Sequence, residues 1–289
     1  MANTIAIKRR IGSVQNTRQI TKAMELVAAS RMRKAQEAAL GSRSYSHMAR
    51  ELLTRLAQLA EVTDQPLFKK RAVKARLLVV ITSDRGLAGA YNSNALRKYV
   101  TELKADKAAD IKSYTIAVGQ RAAQFVGRLT DTEVVAVFRN LPKELQPHDL
   151  QPLIRQAIDL FTSQKVDKVD VIYTHFYSSI NQQPNMLPML PAGFSETPVG
   201  QELAQAEFEP SVSAVLDATA KRLIDAQVWQ ALLESVASEE SMRMLAMKNA
   251  TDNANDLVDD LTLAYNNARQ ASITQELAEI TGGAEAMSE

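Results

Sequence analysis

The sequence predicts an α/β domain of Rossmann-like type inserted between two long helices that pair as an antiparallel, left-handed coiled coil. Three observations predict it. Both ends of the 289-residue chain are long stretches without proline, whereas the middle alternates short apolar runs with polar loops. The C-terminal stretch repeats small and apolar residues at steps of three and four. The ends also carry opposite charge. Lys8, Arg9, Arg10, Arg18, Lys22, Arg31, Arg33 and Lys34 stand against Glu25 alone near the N-terminus. Asp252, Asp256, Asp259, Asp260, Glu276, Glu279, Glu285 and Glu289 stand against Arg269 alone near the C-terminus.

The N-terminal element spans residues 1–65. Alanine, leucine, arginine, lysine, glutamine and glutamate dominate it, all good helix formers. Its apolar stripe runs Ile7, Ile11, Val14, Ile20, Met24 and Val27, with Thr17 filling the gap. A helix of ~55 residues would be ~80 Å long. Gly41-Ser42 is expected to bend or break it, and Pro66 to end it.

The middle element spans residues 75–200. Arg76–Thr82 is a short, continuously apolar run, the pattern of a strand buried on both faces. Further strands are expected at Ser113–Val118, Glu133–Phe138 and Val169–Tyr177, and an edge strand at Asn185–Leu190, where prolines flank the run. Helical patterns lie between them at Asn92–Lys104, Gln120–Arg128 and Leu150–Gln164. Alternation of this kind implies a mostly parallel sheet.

The C-terminal element spans residues 208–286. From Ser211 to Thr281 there is neither proline nor glycine. A helix of ~70 residues, ~105 Å long, far exceeds ordinary globular lengths and indicates a coiled coil. Met247, Ala250, Ala254, Leu257, Leu261, Ala264, Ala268 and Ala271 read as its a/d seam. Alanine at most of these positions would bring the partner helix close. The N-terminal helix is the expected partner, and the opposite charges of the two ends favour their pairing.

Chemistry is sparse. With no cysteine and three scattered histidines, thiolate chemistry and a zinc site are disfavoured. No apolar run approaches the ~20 residues that span a bilayer, so the chain reads as soluble, in a reducing compartment. Ser83–Asn94 follows a strand and precedes a helix, the context of a phosphate cradle. It has neither glycine fingerprint; Gly86 and Gly89 read as a tight turn, and Asn92 or Ser93 as a helix cap. No cofactor and no catalytic residue is expected. The basic N-terminal helix lacks aromatics before Tyr45, so base stacking is unsupported. An acidic protein partner or a solvated face remains.

Ile273–Ala286, reading I-T-Q-E-L-A-E-I-T-G-G-A-E-A, resembles the C-terminal signature of the gamma subunits of bacterial F-type ATP synthases. Ile11–Ser30, Ser83–Leu87 and Ala250–Asn253 resemble that family too, in the same order along the chain. The resemblance implies a non-catalytic central rotor shaft. Its partners would be the alpha and beta subunits of the catalytic hexamer, an epsilon subunit and the membrane rotor c-ring, on the cytoplasmic face of the membrane. It implies three contact zones. Lys22, Met24 and Arg31 would meet an acidic lever of the catalytic subunit. Arg243, Arg269, Gln270, Thr274 and Glu276 would make polar contacts with the surrounding ring. Phe208 and Glu209, with Pro210, would lie at the rotor-ring end. Met24 also fits the helix seam, and Arg243 a solvated helix face. The alternative is a coiled-coil adaptor whose Rossmann-like domain binds nucleotide or nucleic acid.

Overall fold

The computed structural model describes residues 2–59, 66–142, 146–192 and 212–286. Helix α1 runs Ala2–Leu59 without interruption, so it does not break at Gly41-Ser42. One glycine costs a helix ~1 kcal/mol relative to alanine, and the helix formers around Gly41 outweigh it. Helix α5 runs Val212–Ala286 and continues through Gly282-Gly283.

Between them lies a five-stranded sheet in the order β3-β2-β1-β4-β5. The strands are β1 (Ala75–Ile81), β2 (Lys112–Val118), β3 (Glu133–Phe138), β4 (Lys168–Phe176) and β5 (Gln182–Leu190). The first four are parallel, and β5 adds antiparallel to β4 at an edge. Helices α2 (Tyr91–Ala108), α3 (Gln120–Val126) and α4 (Gln151–Thr162) connect them. This is the Rossmann-like layer the alternating pattern predicts.

Side chains alternate along β1, and both faces are covered. Leu77, Val79 and Ile81 join Ile116, Val118, Val169 and Val171 on one face. There α4 adds Leu153, Ile154, Ala157 and Phe161, and α5 adds Ala220, Leu223, Ile224, Val228 and Leu232. Leu78 and Val80 face the other way, against Tyr99 and Leu103 of α2 and Ala122 and Val126 of α3. Each fully buried aliphatic side chain contributes ~1.5–3 kcal/mol, which makes the sheet the best-anchored part of its unit.

The chain divides into two compact units, Ala29–Met242 and Met1–Ala28 with Arg243–Glu289. In the latter the helices are antiparallel. Arg18 Nη1 donates to Asn255 Oδ1 at 3.1 Å, and the Thr21 and Thr251 hydroxyls share a hydrogen bond of 2.8 Å. Numbers rise on α1 as they fall on α5.

The seam follows strict heptads in a phase that differs from the expected one. On α1 the covered positions are Thr4, Ile7, Ile11, Val14, Arg18, Thr21, Glu25 and Ala28. On α5 they are Met247, Thr251, Ala254, Val258, Leu261, Tyr265, Ala268 and Ser272. Ile7, Ile11 and Val14 are therefore seam residues as expected. Ile20 and Val27 are not, being 61% and 51% exposed. On α5, Met247, Ala254, Leu261 and Ala268 hold. Ala250 is half-buried, and Leu257, Ala264 and Ala271 are exposed. The alanine-lined seam is thus overturned: polar Thr251, Ser272 and Tyr265 occupy places that an apolar pattern search passes over.

One ionic cluster sits inside the sheet unit. Arg76 on β1 donates through Nε to Asp170 at 2.6 Å and through Nη1 to Asp106 at 2.8 Å and Glu102 at 3.1 Å. Burial opposes the guanidinium charge, but the hydrogen bonds and fields of Asp106 and Asp170 outweigh it and raise its pKa. Arg76→Met would leave buried Asp170 with Lys168 alone at 3.0 Å and buried Asp106 with the Ser113 hydroxyl at 3.1 Å. We expect it to cost ~3–5 kcal/mol of stability, measured as a shift of the urea midpoint at unchanged slope.

Candidate partner interface

The two long helices do not end together. Thr21 pairs with Thr251, so α1 reaches its first residue opposite about residue 270 of α5. From Ile273 to Thr281 every α5 residue is exposed. Within this overhang Ile273, Leu277 and Ile280, at steps of four and three, form one apolar stripe, 48%, 58% and 68% exposed. A helix end without a packing partner is stabilised by propensity alone, which is marginal in water.

A second outward stripe lies on α1. Ile20 and Val27 stand one heptad apart with exposed Ala23 between them. Met24 is half-buried at its border, beside the seam position Glu25. Lys22 Nζ reaches Glu25 at 3.1 Å with its side chain 55% exposed. Exposed pairs of this kind are worth ~0–1 kcal/mol, so the ammonium stays available to another partner. Arg31 lies in the sheet unit and approaches buried Glu240 at 3.6 Å.

Arg269, Gln270, Thr274 and Glu276 are all exposed on α5. The Thr274 hydroxyl donates to the Gln270 carbonyl at 3.0 Å. Some twenty residues of helix, ~30 Å, separate this group from Lys22 and Met24, so they form two distinct zones. Arg243 is only 7% exposed. This burial argues against the solvated-face reading. Phe208 and Glu209 lie outside the described residues.

The loop after β1 is closed by the chain's own groups. Asp84 Oδ1 accepts from the Gln120 amide at 2.9 Å, at the start of α3, and from the Asn140 amide at 3.1 Å. Its Oδ2 accepts from the Leu141 amide at 3.2 Å. Thr82 Oγ1 accepts from the Ala122 amide at 2.8 Å. A carboxylate and a hydroxyl thus take the helix N-terminal donors that α/β folds offer to phosphates. The close approach requires Gly119, where φ is +91° and a Cβ would come within 2.2 Å of the Thr82 carbonyl oxygen. Gly89 serves the expected turn with φ +53°. Asn92 does not cap α2; its Oδ1 accepts from the Ser83 amide at 3.0 Å and ties the loop to the strand end. Asp84 and Gly119 were missed as a pair because they lie far apart in sequence.

Sequence reasoning also missed a row of buried serines on α5. Ser235 Oγ accepts from the Thr174 amide at 3.0 Å, and Ser238 Oγ donates to the Thr174 carbonyl at 3.2 Å. Their spacing of three was the available signal. Among the described residues no helix is long and apolar enough to cross a membrane, and no histidine and carboxylate group could hold a metal ion.

Known proteins resemble this chain over its full length. A family model described as ATP synthase matches residues 3–287. The ATP synthase gamma chain of Dehalococcoides mccartyi (strain BAV1) is 42% identical over 289 residues, covering 99% of this chain and all of that one. The ATP synthase gamma chain of Stenotrophomonas maltophilia (strain R551-3) is also 42% identical, over 292 residues, covering 99% of this chain and all of that one. A chain in the central stalk/c-ring structure of the Tetrahymena thermophila mitochondrial ATP synthase superposes with TM-score 0.61 at 25% identity. It covers 80% of this chain and 99% of its own length. A chain in the Euglena gracilis OSCP/F1/c-ring structure superposes with TM-score 0.68, covering 99% of this chain and 95% of that one. At 18% identity it bears on the fold alone. The family model over residues 3–287 and relatives 42% identical over 99% of the chain place this chain in the family of ATP synthase gamma chains.

Proposed function

We propose that this chain is the non-catalytic axle of a proton-translocating ATP synthase. Proton flow turns a membrane c-ring, and the chain turns with it, an epsilon subunit alongside. The alpha and beta subunits surround the helices and carry the nucleotide chemistry. The chain works at the cytoplasmic face of the membrane, as a peripheral protein. Each catalytic subunit meets a different face of the helices as they turn. Only such differential contact can shift a conformational equilibrium.

The observation that carries this reading is the unpartnered apolar stripe Ile273, Leu277 and Ile280 at the overhanging end of α5. Exposed apolar side chains on one face of a helix need a cover, and polar Arg269, Gln270, Thr274 and Glu276 surround them. A ring of catalytic subunits supplies both an apolar bearing and polar partners. We assign those four residues to the bearing, Lys22, Met24 and Arg31 to an acidic lever, and Phe208 and Glu209 to the rotor-ring end. Arg243 is assigned to packing within the chain.

The test replaces the stripe with Ile273→Ser, Leu277→Ser and Ile280→Ser together. Titrated against the alpha–beta hexamer, the variant should bind at least ~10-fold more weakly, a loss of ~1.4 kcal/mol or more. Unchanged affinity would remove the bearing from the account. The lever zone makes a separate prediction. Met24→Lys adds a cation beside Lys22, and an ion pair with an acidic lever would hold one rotary position too tightly. A bias of ~1.4 kcal/mol changes a step rate tenfold. We expect normal assembly but fewer protons pumped per ATP hydrolysed in reconstituted membranes. An unchanged ratio would remove Met24 from the lever zone.

A further inference from the structure

The contact between α5 and the sheet changes character along the helix. From Ala220 to Leu232 it is apolar. Beyond Leu232 it becomes a set of hydrogen bonds to backbone groups of the hairpin formed by β4 and β5. The reason lies in the ladder. β1 pairs with β4 only as far as Ile172. Thr174 lies opposite Pro184 of β5, which has no N–H to offer. Both backbone groups of a strand residue point to one side, and the amide and carbonyl of Thr174 turn away from β5, beyond the end of the β1 pairing, to α5. Buried and unpaired, they would be costly. Ser235 and Ser238, both 0% exposed, take them one each.

One turn further on, the pattern repeats at the hairpin tip. Ser241 Oγ donates to the Ser179 carbonyl at 2.8 Å and accepts from Gln182 Nε2 at 3.1 Å. Beside Ser235, Glu234 Oε2 pairs with His175 Nδ1 of β4. The helix stands in for the missing strand, with its serines as the ladder.

Apolar burial is non-directional: a smooth greasy face lets a helix rotate or slide at small cost. Hydrogen bonds to fixed backbone atoms tolerate only a few tenths of an ångström and a narrow angle. We propose that Ser235, Ser238 and Ser241 are positioning residues that lock the rotational and axial register of α5 against the β4–β5 hairpin. Torsional load then passes between sheet and helix without slip. This assignment rests on the axle reading, since only a loaded shaft requires such a lock.

The test uses the assembled complex, immobilised through its hexamer. The chain has no cysteine, so Lys107→Cys, whose side chain is 71% exposed on α2, attaches a bead to the sheet unit alone. The angular variance of the bead during catalytic pauses reports torsional stiffness. Ser235→Ala/Ser238→Ala should widen the variance at least twofold, and Ser241→Ala should widen it less. Leu232→Ala, which removes an apolar contact from the same helix, should leave it unchanged although it destabilises the fold. Unchanged variance in the serine variants, or equal widening in Leu232→Ala, would overturn the lock. Should the double variant fail to assemble, Ser241→Ala decides alone by the same criterion. Absence of directed rotation in the unaltered complex would instead defeat the axle reading.

Discussion

Helix α5 is 75 residues long, and most of the stability of a helix in a protein comes from packing along its face. Its surroundings differ in four successive stretches. Near Val228 it rests on the apolar face of the sheet. From Ser235 to Ser241 it completes the edge of β4 with hydroxyl groups. From Met247 to Ser272 it forms a heptad seam with α1. From Ile273 to Thr281 no described residue covers it. The ordering of these covers decides where the protein is rigid and where it must borrow stability from a partner.

Much of this was legible in the sequence. The strands, the three connecting helices and the two terminal helices follow from residue pattern alone, because buried parallel strands and helix formers leave plain signatures. The seam phase was not legible, for a physical reason. The helices carry two stripes at once, one facing each other and one facing outward. The inward stripe includes Arg18, Thr21, Thr251, Tyr265 and Ser272, whereas Ile20, Val27 and Leu257 lie outward. A search for apolar steps of three and four takes residues from both. The apparent alanine seam of Ala250, Ala264 and Ala271 was largely the outward face.

The same distinction explains what was and was not legible at the contact sites. Arg269, Gln270, Thr274 and Glu276 came from the family resemblance, and all four are exposed. Arg243 looked equivalent to them in sequence but is buried; its fate depends on helix phase, which composition does not report. Asp84 presents the inverse case. It sits in a loop that reads as a possible phosphate cradle, yet its carboxylate accepts the amides of Gln120, Asn140 and Leu141. The Rossmann-like layer here keeps the anion site of its class and fills it internally, so the sheet serves as a mount for α5.

The central claim is that the far end of α5 is stable only inside a partner. Amide hydrogen exchange compared between the free chain and the assembled complex tests it most directly, because exchange reports local opening segment by segment. In the free chain Ile273–Ala286 should exchange fast while Leu77–Ile81 of the sheet exchanges slowly, and in the complex the C-terminal segment should become strongly protected. Slow exchange of Ile273–Ala286 in the free chain, unchanged on assembly, would show that the helix end needs no bearing and would contradict the account.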